Sequence, residues 1–344
     1  MDDEAPVSKA KGRVTLHDVA AVSGVSKSTV SRLLDERLTR PDNPKAQHVR
    51  RIAQEMGYVR DLSAASLRRG STGMIGVIVP RLTDTVMAMF FEALAKAAAP
   101  LGKFTIVANT DDSPEASLRA ADALIQRGVD GLILTTARQN DPMMSEALAA
   151  RGVPFVFGLR EDGHANAVVS DDVLGGYLAT RHLIDLGHSR IAVICGPDYA
   201  TSALGRVAGF RQAMAEAGLP VDEDLLAPST FSIESGEAAA EALLAQPNRP
   251  TAIFAMNDNT AIGAMSVILR AGLSVPDDVS LVGYNDIPIV SRLPVPLTTV
   301  RVPFDRLAAL TMAALDPSHD ERMSRVTRVA PTVIPRKSSA RLRR

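Results

Sequence analysis

The stretch VTLHDVAAVSGVSKSTVSRLLD, Val14–Asp35, reads as two short helices joined by a tight turn. Thr15 and Asp18 have the spacing of a capping box, so a first helix starts there, with Leu16, Val19 and Ala20 on one face. Gly24 supplies the turn, Val25 drops between the helices, and Ser26 caps a second helix whose inner face is Val30, Leu33 and Leu34. The outer face of that helix carries Lys27, Ser28, Ser31 and Arg32, polar donors of the kind a helix in a major groove needs. A third helix follows, with Asn43 as N-cap, Pro44 at its first position and Val49, Ile52, Ala53 and Met56 buried at i, i+3, i+4 and i+7; Gly57 ends it. On periodicity alone the segment equally fits a three-helix bundle with no nucleic-acid role. The cationic outer face of the second helix favours the DNA-facing reading.

Around this segment the bulk properties set bounds. At 344 residues the chain is too long for one ordinary core. Its net charge of −1 conceals an uneven distribution: residues 1–70 hold 13 Lys/Arg against 9 Asp/Glu, and the remainder 25 against 30. A basic head on an acidic body suits a chain in which one domain alone faces a polyanion. Cys195 is the single cysteine, so no intrachain disulfide can form, and its place in an apolar strand marks it as an inert core thiol. The N-terminus, MDDEAPVSKAKGR, has no apolar core of a signal peptide, and no run approaches the ~18 apolar residues of a membrane helix, so a cytoplasmic protein without membrane contact is expected.

From Met74 onward the pattern changes. Short apolar runs at Met74–Val79, Phe104–Ala108, Val129–Leu134, Val153–Phe157, Arg190–Cys195, Thr251–Ala255 and Val279–Gly283 alternate with helical segments rich in Ala and Leu. Such runs read as buried parallel strands in βαβ units. Ser113-Pro114 and Asp141-Pro142 each place an N-cap before a proline at the first helical position. The expected organisation is a disordered arm (1–13), an all-α helix-turn-helix headpiece (14–58), a short amphipathic stretch and linker (59–73), an α/β core large enough for two lobes (74–336) and a tail (337–344).

The wording of the headpiece resembles the lactose/galactose-repressor (LacI/GalR) family, whose head reads T-[IL]-x-D-V-A-x-x-[AS]-G-V-S-x-x-T-V-S-R; every fixed position is present from Thr15 to Arg32. The resemblance implies operator contacts by Thr15, Ser26, Lys27, Ser28, Thr29, Ser31 and Arg32. The family's hinge is recognisable in GYVRDLSAASL, Gly57–Leu67, and implies that Leu67 enters the minor groove with Ala64 and Arg68 beside it, although Arg60 and Asp61 stand where the family usually has Pro-Asn. A residue such as Leu67 can instead dock on the core. Further phrases recur in order: LGHSRIAVICGP (Leu186–Pro197), GRVAGF (Gly205–Phe210), MND (Met256–Asp258), LVGYNDIP (Leu281–Pro288) and PLTTVR (Pro296–Arg301). They imply the periplasmic-binding-protein-like fold, two Rossmann-like lobes joined by three crossovers with the ligand between them. The resemblance implies in addition that 59–73 holds a hinge helix and that the core at 74–336 binds effector and dimerises.

In that fold Arg206 is the effector clamp, Asn257 and Asn285 the polar pair that fixes orientation, Phe231 the apolar plate against a ring, and Arg81 an added cation in the loop after the first strand. Two alternatives stay open: Arg206 as an internal salt bridge, and Asp258 as the cap of its helix ahead of ligand contact. Gly158 and Asn285 stand where other members have Asp, Gly158 in the first-lobe pocket wall, and Val86 and Met87 replace an aromatic pair. That gives a less anionic pocket and favours a sugar acid or sugar phosphate over a neutral sugar. P-loop, G-x-G-x-x-G, G-x-S-x-G and H-E-x-x-H motifs are absent, His188 reads as structural, and neither catalysis, cofactor nor metal is expected. The family tetramerises only where a heptad tail follows the last strand, and the last eight residues here, KSSARLRR, cannot form a coiled-coil seam, so the resemblance implies a homodimer on a two-fold operator. The reading is an effector-controlled DNA-binding transcription regulator, a repressor ahead of an activator. A solute-binding protein and a sugar-metabolising enzyme are the readings from other classes.

Overall fold

The structure, a computed structural model, describes residues 14–34, 43–59, 71–316 and 325–343. The arm at 1–13 and the hinge residues Arg60, Asp61, Ala64, Leu67 and Arg68 lie outside the described residues. The chain divides between Thr72 and Gly73 into two compact units, at the linker expected from the sequence.

The first unit contains α1 (Leu16–Ser23), α2 (Lys27–Leu33) and α3 (Pro44–Glu55). Each helix start follows from one side chain: Thr15 and Asp18 form a reciprocal capping box, Ser26 accepts from the Thr29 amide, and Asn43 accepts from the Ala46 amide. Gly24 turns the chain at φ +67°, the left-handed conformation open to glycine without strain. Val19, Val30, Leu33, Ala46, Val49, Ile52 and Ala53 form the core, with Val25, Leu34 and Met56 half-buried around it.

The second unit has two lobes. The first begins β1 (Met74–Val79), α4 (Thr85–Ala98), β2 (Phe104–Asn109), α5 (Pro114–Gln126), β3 (Gly131–Leu134), α6 (Met143–Ala150), β4 (Phe155–Gly158) and β5 (Ala167–Ser170). The second contains α7 (Asp172–Asp185), β6 (Ile191–Ile194), α8 (Thr201–Glu216), β7 (Leu226–Ala227), α9 (Ile233–Leu244), β8 (Ala252–Ala255), α10 (Asp258–Arg270), β9 (Ser280–Asn285) and β10 (Thr298–Arg301). The chain then returns to the first lobe for α11 (Phe304–Ala314) and β11 (Val326–Val329), and ends in the second with β12 (Thr332–Ile334). The sheets run β11-β5-β4-β3-β1-β2 and β12-β10-β9-β8-β6-β7, parallel throughout except for the β10–β12 pair. The chain therefore crosses between lobes three times, after Ser170, after Arg301 and after Val329, always from the β5/β11 and β10/β12 edges. Asp286 braces that edge: its carboxylate accepts from Arg301 Nε at 2.7 Å and Arg336 Nη2 at 2.6 Å.

The structure departs from the sequence reading in four places. Residues 337–343 are no tail: the buried Ser338 hydroxyl donates to the Leu281 carbonyl and accepts from the Thr298 amide, and Leu342 N–H donates to the Leu186 carbonyl. Asp258 is not the helix cap; Asn257 is, in a capping box with Thr260. Helix α6 starts at Met143 instead of Pro142, although Asp141 still accepts the Met143 amide. Gly158 is buried beneath Phe90, where a Cβ would stand 2.8 Å from the ring, so the pocket-wall position passes to Leu159.

Helices α7 and α8 cross with their backbones touching, which only glycine permits. A Cβ on Gly209 would overlap the Val173 carbonyl, and one on Gly176 the Arg206 carbonyl. This crossing brings Arg206 to Asp172. Gly209→Ala is expected to cost about 1–3 kcal/mol of stability by overpacking. Urea unfolding reads this, and an unchanged midpoint at unchanged slope contradicts the close approach.

Candidate functional site

Two surfaces carry chemistry. In the first unit, α2 presents Lys27, Ser28 and Arg32 to solvent, with Thr29 and Ser31 half-buried. Lys27 and Arg32 make no ion pair among the described residues, so their charge is available to phosphate or base edges. Thr15 and Ser26 are less free. The Thr15 hydroxyl donates to Asp18 at 2.8 Å, and Ser26 Oγ lies 3.0 Å from Ser28 Oγ and 2.9 Å from Thr29 Oγ1. They fix where the helices begin, and Lys27, Ser28 and Arg32 face outward as a consequence.

In the second unit a cleft of about 570 Å³ lies between the lobes. It sits at the carboxyl ends of both parallel sheets, where loops are free to carry function and where open α/β sheets take ligands. Arg206 is 6% exposed on the second-lobe wall. Its Nε donates to Asp172 Oδ1 at 2.8 Å, its Nη1 donates to the Met256 carbonyl, and its guanidinium lies 3.6 Å over the Tyr284 ring. Arg206 thus lines the cleft and is at the same time one half of an internal salt bridge. Burial pushes the Asp172 carboxyl upward, against the pull of the Arg206 charge.

The structure brings all five sequence-expected effector residues to the same cleft. Asn285 is buried at its wall, with no side-chain hydrogen bond among the described residues, so its amide is open in both senses. Asn257 is largely committed: Oδ1 holds the Thr260 amide at 2.8 Å, and Nδ2 donates to the Phe231 carbonyl at 2.9 Å. It acts on the plate by fixing Phe231, whose ring rests against Gly196. Arg81 stands exposed at the mouth without an ion pair among the described residues. Val86 and Met87 line the floor.

Sequence reasoning missed a polar group on the first-lobe side. Asp112 accepts from Arg160 Nη1 at 3.0 Å and from the Tyr199 hydroxyl at 3.0 Å, while the Arg138 guanidinium lies 3.9 Å over the Tyr199 ring. These residues sit in loops after β2, β3, β4 and β6, so the strand ends were the signal that pointed to them. Backbone strain also gathers here. Among the described residues, five of the seven non-glycine residues at positive φ line the cleft: Asp111, Asp112, Leu159, Phe231 and Asn285, the last at +105°. Such conformations cost of order 1–3 kcal/mol each and persist where surrounding structure enforces them, characteristically at ligand sites.

Behind the wall, Asp258 Oδ1 accepts from Thr299 at 2.6 Å and Oδ2 from the Ile287 amide at 2.8 Å. Burial pushes its carboxyl up to about 7. The unfolded carboxyl ionises near ~4, so between about 4 and 7 the folded state holds the proton more tightly and stability falls as pH rises. The stability advantage of the parent over Asp258→Asn should therefore shrink from pH 4 to pH 8 in paired urea melts. A pH-independent difference contradicts this.

His188 and Cys195 are structural. His188 Nε2 donates to the Ala340 carbonyl at 3.1 Å with Nδ1 3.0 Å from the Thr251 hydroxyl, and burial raises the Cys195 thiol to about 11. No metal-holding group of His, Cys, Asp and Glu occurs among the described residues, and none of their helices is long and apolar enough to cross a membrane.

Both units match known protein families. Residues 15–61 match the model for bacterial regulatory proteins of the lacI family, and residues 72–309 the model for periplasmic binding proteins and the sugar binding domain of the LacI family. The chain is 36% identical to the HTH-type transcriptional regulator DegA of Bacillus subtilis (strain 168), covering 86% of this chain and 89% of that one. It is 33% identical to the ribose operon repressor of Escherichia coli (strain K12), covering 88% and 92%. The Lac repressor dimer bound to operator and the anti-inducer ONPF superposes with a TM-score of 0.85 at 27% identity, covering 95% and 99%. With a capped helix-turn-helix at one end and a two-lobed cleft in the body, each matched by a family model, the chain belongs to the LacI family of DNA-binding transcription regulators controlled by small-molecule effectors.

Proposed function

We propose that the chain is a cytoplasmic, homodimeric repressor whose operator is read by α2 and whose effector is a sugar acid or sugar phosphate held in the interlobe cleft. The observation that carries the effector class is the state of the cleft's charges. Asp172 is engaged by Arg206 and Asp112 by Arg160 and Tyr199, and the Asp84 carboxylate holds the Val86 amide as a helix cap, with burial pushing its pKa up. These three carboxylates are therefore poor anchors for the hydroxyls of a neutral sugar. Asp111 and Glu234, neither in an ion pair among the described residues, are exposed at the mouth, and the Glu234 carboxylate is hydrogen-bonded by its own amide and Ser232. Among the groups that meet a ligand inside are the Asn285 and Asn259 amides, the faces of Phe231 and Phe304, and the edge of Arg206, with the Arg81 charge at the mouth. A ring carrying an anionic group satisfies those donors. The relatives named for ribose and lactose operons support a sugar-like ring. A carboxylate or phosphate goes with the extra cation of this chain. No catalytic role is proposed for any group in the cleft.

On the DNA side, Lys27 and Ser28 open α2, where docked recognition helices present side chains to base edges. Replacing both (Lys27→Ala, Ser28→Ala) should change the preferred operator at about 1–3 kcal/mol per lost contact. A binding-site selection that returns the parent's base preferences overturns this assignment, whereas uniform weakening across all sequences would make Lys27 a phosphate contact.

A further inference from the structure

We propose that the loop 197–201 is a clasp that holds the two lobes together without any effector and thereby sets the basal operator affinity. The proposal rests on the reading of the cleft as the control site, but the clasp is visible independently of any ligand.

Tyr199 leaves the second lobe after β6 and inserts among three loops of the first. Its hydroxyl donates to Asp112 Oδ2 at 3.0 Å, its carbonyl accepts the Gln139 amide at 3.0 Å, and its ring lies under the Arg138 guanidinium. Thr201 Oγ1 accepts the Glu161 amide at 3.1 Å and donates back to the Glu161 carbonyl at 3.3 Å. Every one of these contacts joins one lobe to the other, so all are lost together when the lobes part. Arg160 makes the clasp ready to close: both of its bonds to Asp112 lie within the first lobe and hold that carboxylate where the tyrosine meets it.

Placement gives these contacts leverage. The three crossovers run from the β5/β11 and β10/β12 edges, while Tyr199 follows β6 and Asp112 follows β2, toward the other end of each sheet. A hinge on one side and a fastening on the other leave the cleft between them. The clasp also leads directly into α8, of which Thr201 is the first residue and Ser202 and Arg206 line the cleft. Opening and closing at Tyr199 therefore moves the wall that a ligand touches. The closed arrangement is not fully satisfied: Arg138 Nε is buried with no hydrogen-bond partner. Opening returns that donor to water, which offsets part of what the broken contacts contribute and so lowers the difference in affinity that a ligand needs to shift the balance.

Amide hydrogen exchange on the ligand-free full chain tests this directly, because the Gln139 and Glu161 amides are bonded only across the lobes. Both should be protected in the parent. Tyr199→Ala should speed their exchange at least about tenfold, although it deletes neither the Tyr199 carbonyl nor the Thr201 hydroxyl, and Tyr199→Phe should give an intermediate rate. Protection of the Ile253 amide in β8 should not change, which separates opening from unfolding. The same Tyr199→Ala chain should show an operator affinity altered several-fold with no effector added. Unprotected Gln139 and Glu161 in the parent, or rates insensitive to Tyr199→Ala, overturn the clasp; faster exchange with unaltered operator affinity overturns its regulatory role. No ligand enters the experiment, so a wrong effector class leaves its outcome unaffected.

Discussion

The buried pair between Arg206 and Asp172 is the contact on which the second lobe is arranged. A guanidinium with 6% exposure is tolerable because Nε has Asp172, Nη1 has the Met256 carbonyl and one face lies against the Tyr284 ring. These partners come from the start of α7, the end of β8 and the end of β9. One side chain thus ties together the strand ends that form the cleft wall. The bare backbone crossing of α7 and α8 at Gly176 and Gly209 is the geometric condition for it, since larger residues would hold Arg206 away from Asp172. Removing one member of such a pair strands the other, at a cost of about 3–5 kcal/mol. Deleting Arg206 therefore confounds binding with folding, and a charge-preserving change separates the two.

The same wall stores strain. Asn285 and Asp286 are consecutive residues at positive φ, +105° and +58°. The first turns its amide into the cleft, and the second ties Arg301 and Arg336 beside the crossovers. A ligand that contacts Asn285 thus pulls on a segment joined to the hinge edge. Asp258, immediately behind, holds the Ile287 amide and so fixes the exit from that turn. A ligand can shift only states it binds differently, and a wall built from braced, strained residues has few intermediate positions to occupy.

Much of this was legible in the sequence. The headpiece helices, their caps and the strand–helix alternation follow from side-chain types at fixed spacing, because caps and parallel strands are local in their chemistry. Arg206, Phe231, Asn257, Asn285 and Arg81 all reach the cleft. What escaped were features set by distant partners. Strands β11 and β12 are short and carry Thr and Arg, so no apolar run marks them; pairing with β5 and β10 makes them strands. The Lys337–Arg344 segment reads as polar tail, yet Ser338 is buried because Leu281 and Thr298 offer it backbone partners. The cap falls to Asn257 instead of Asp258, since both are good caps and only the fold decides which one meets Thr299. Gly158 was placed one residue from the true wall, where Leu159 turns at φ +64°. The Tyr199 contacts join residues far apart in sequence, and no local pattern announces them.

The central claim is that Arg206, held rigid by Asp172 and Tyr284, presents its remaining Nη2 edge to an anionic effector whose occupancy changes operator binding. Calorimetric titration of the full chain and of Arg206→Lys with aldoses, uronates and sugar phosphates, each followed by operator binding with and without the ligand, tests it most directly. The lysine keeps a charge beside Asp172 but loses the planar fork. The account predicts that an acidic member binds the parent and changes its operator affinity, that Arg206→Lys binds it about tenfold more weakly, ~1.4 kcal/mol, and that ligand-free operator affinity is retained. Equal effector affinity in Arg206→Lys, or a parent that responds only to neutral sugars, contradicts it.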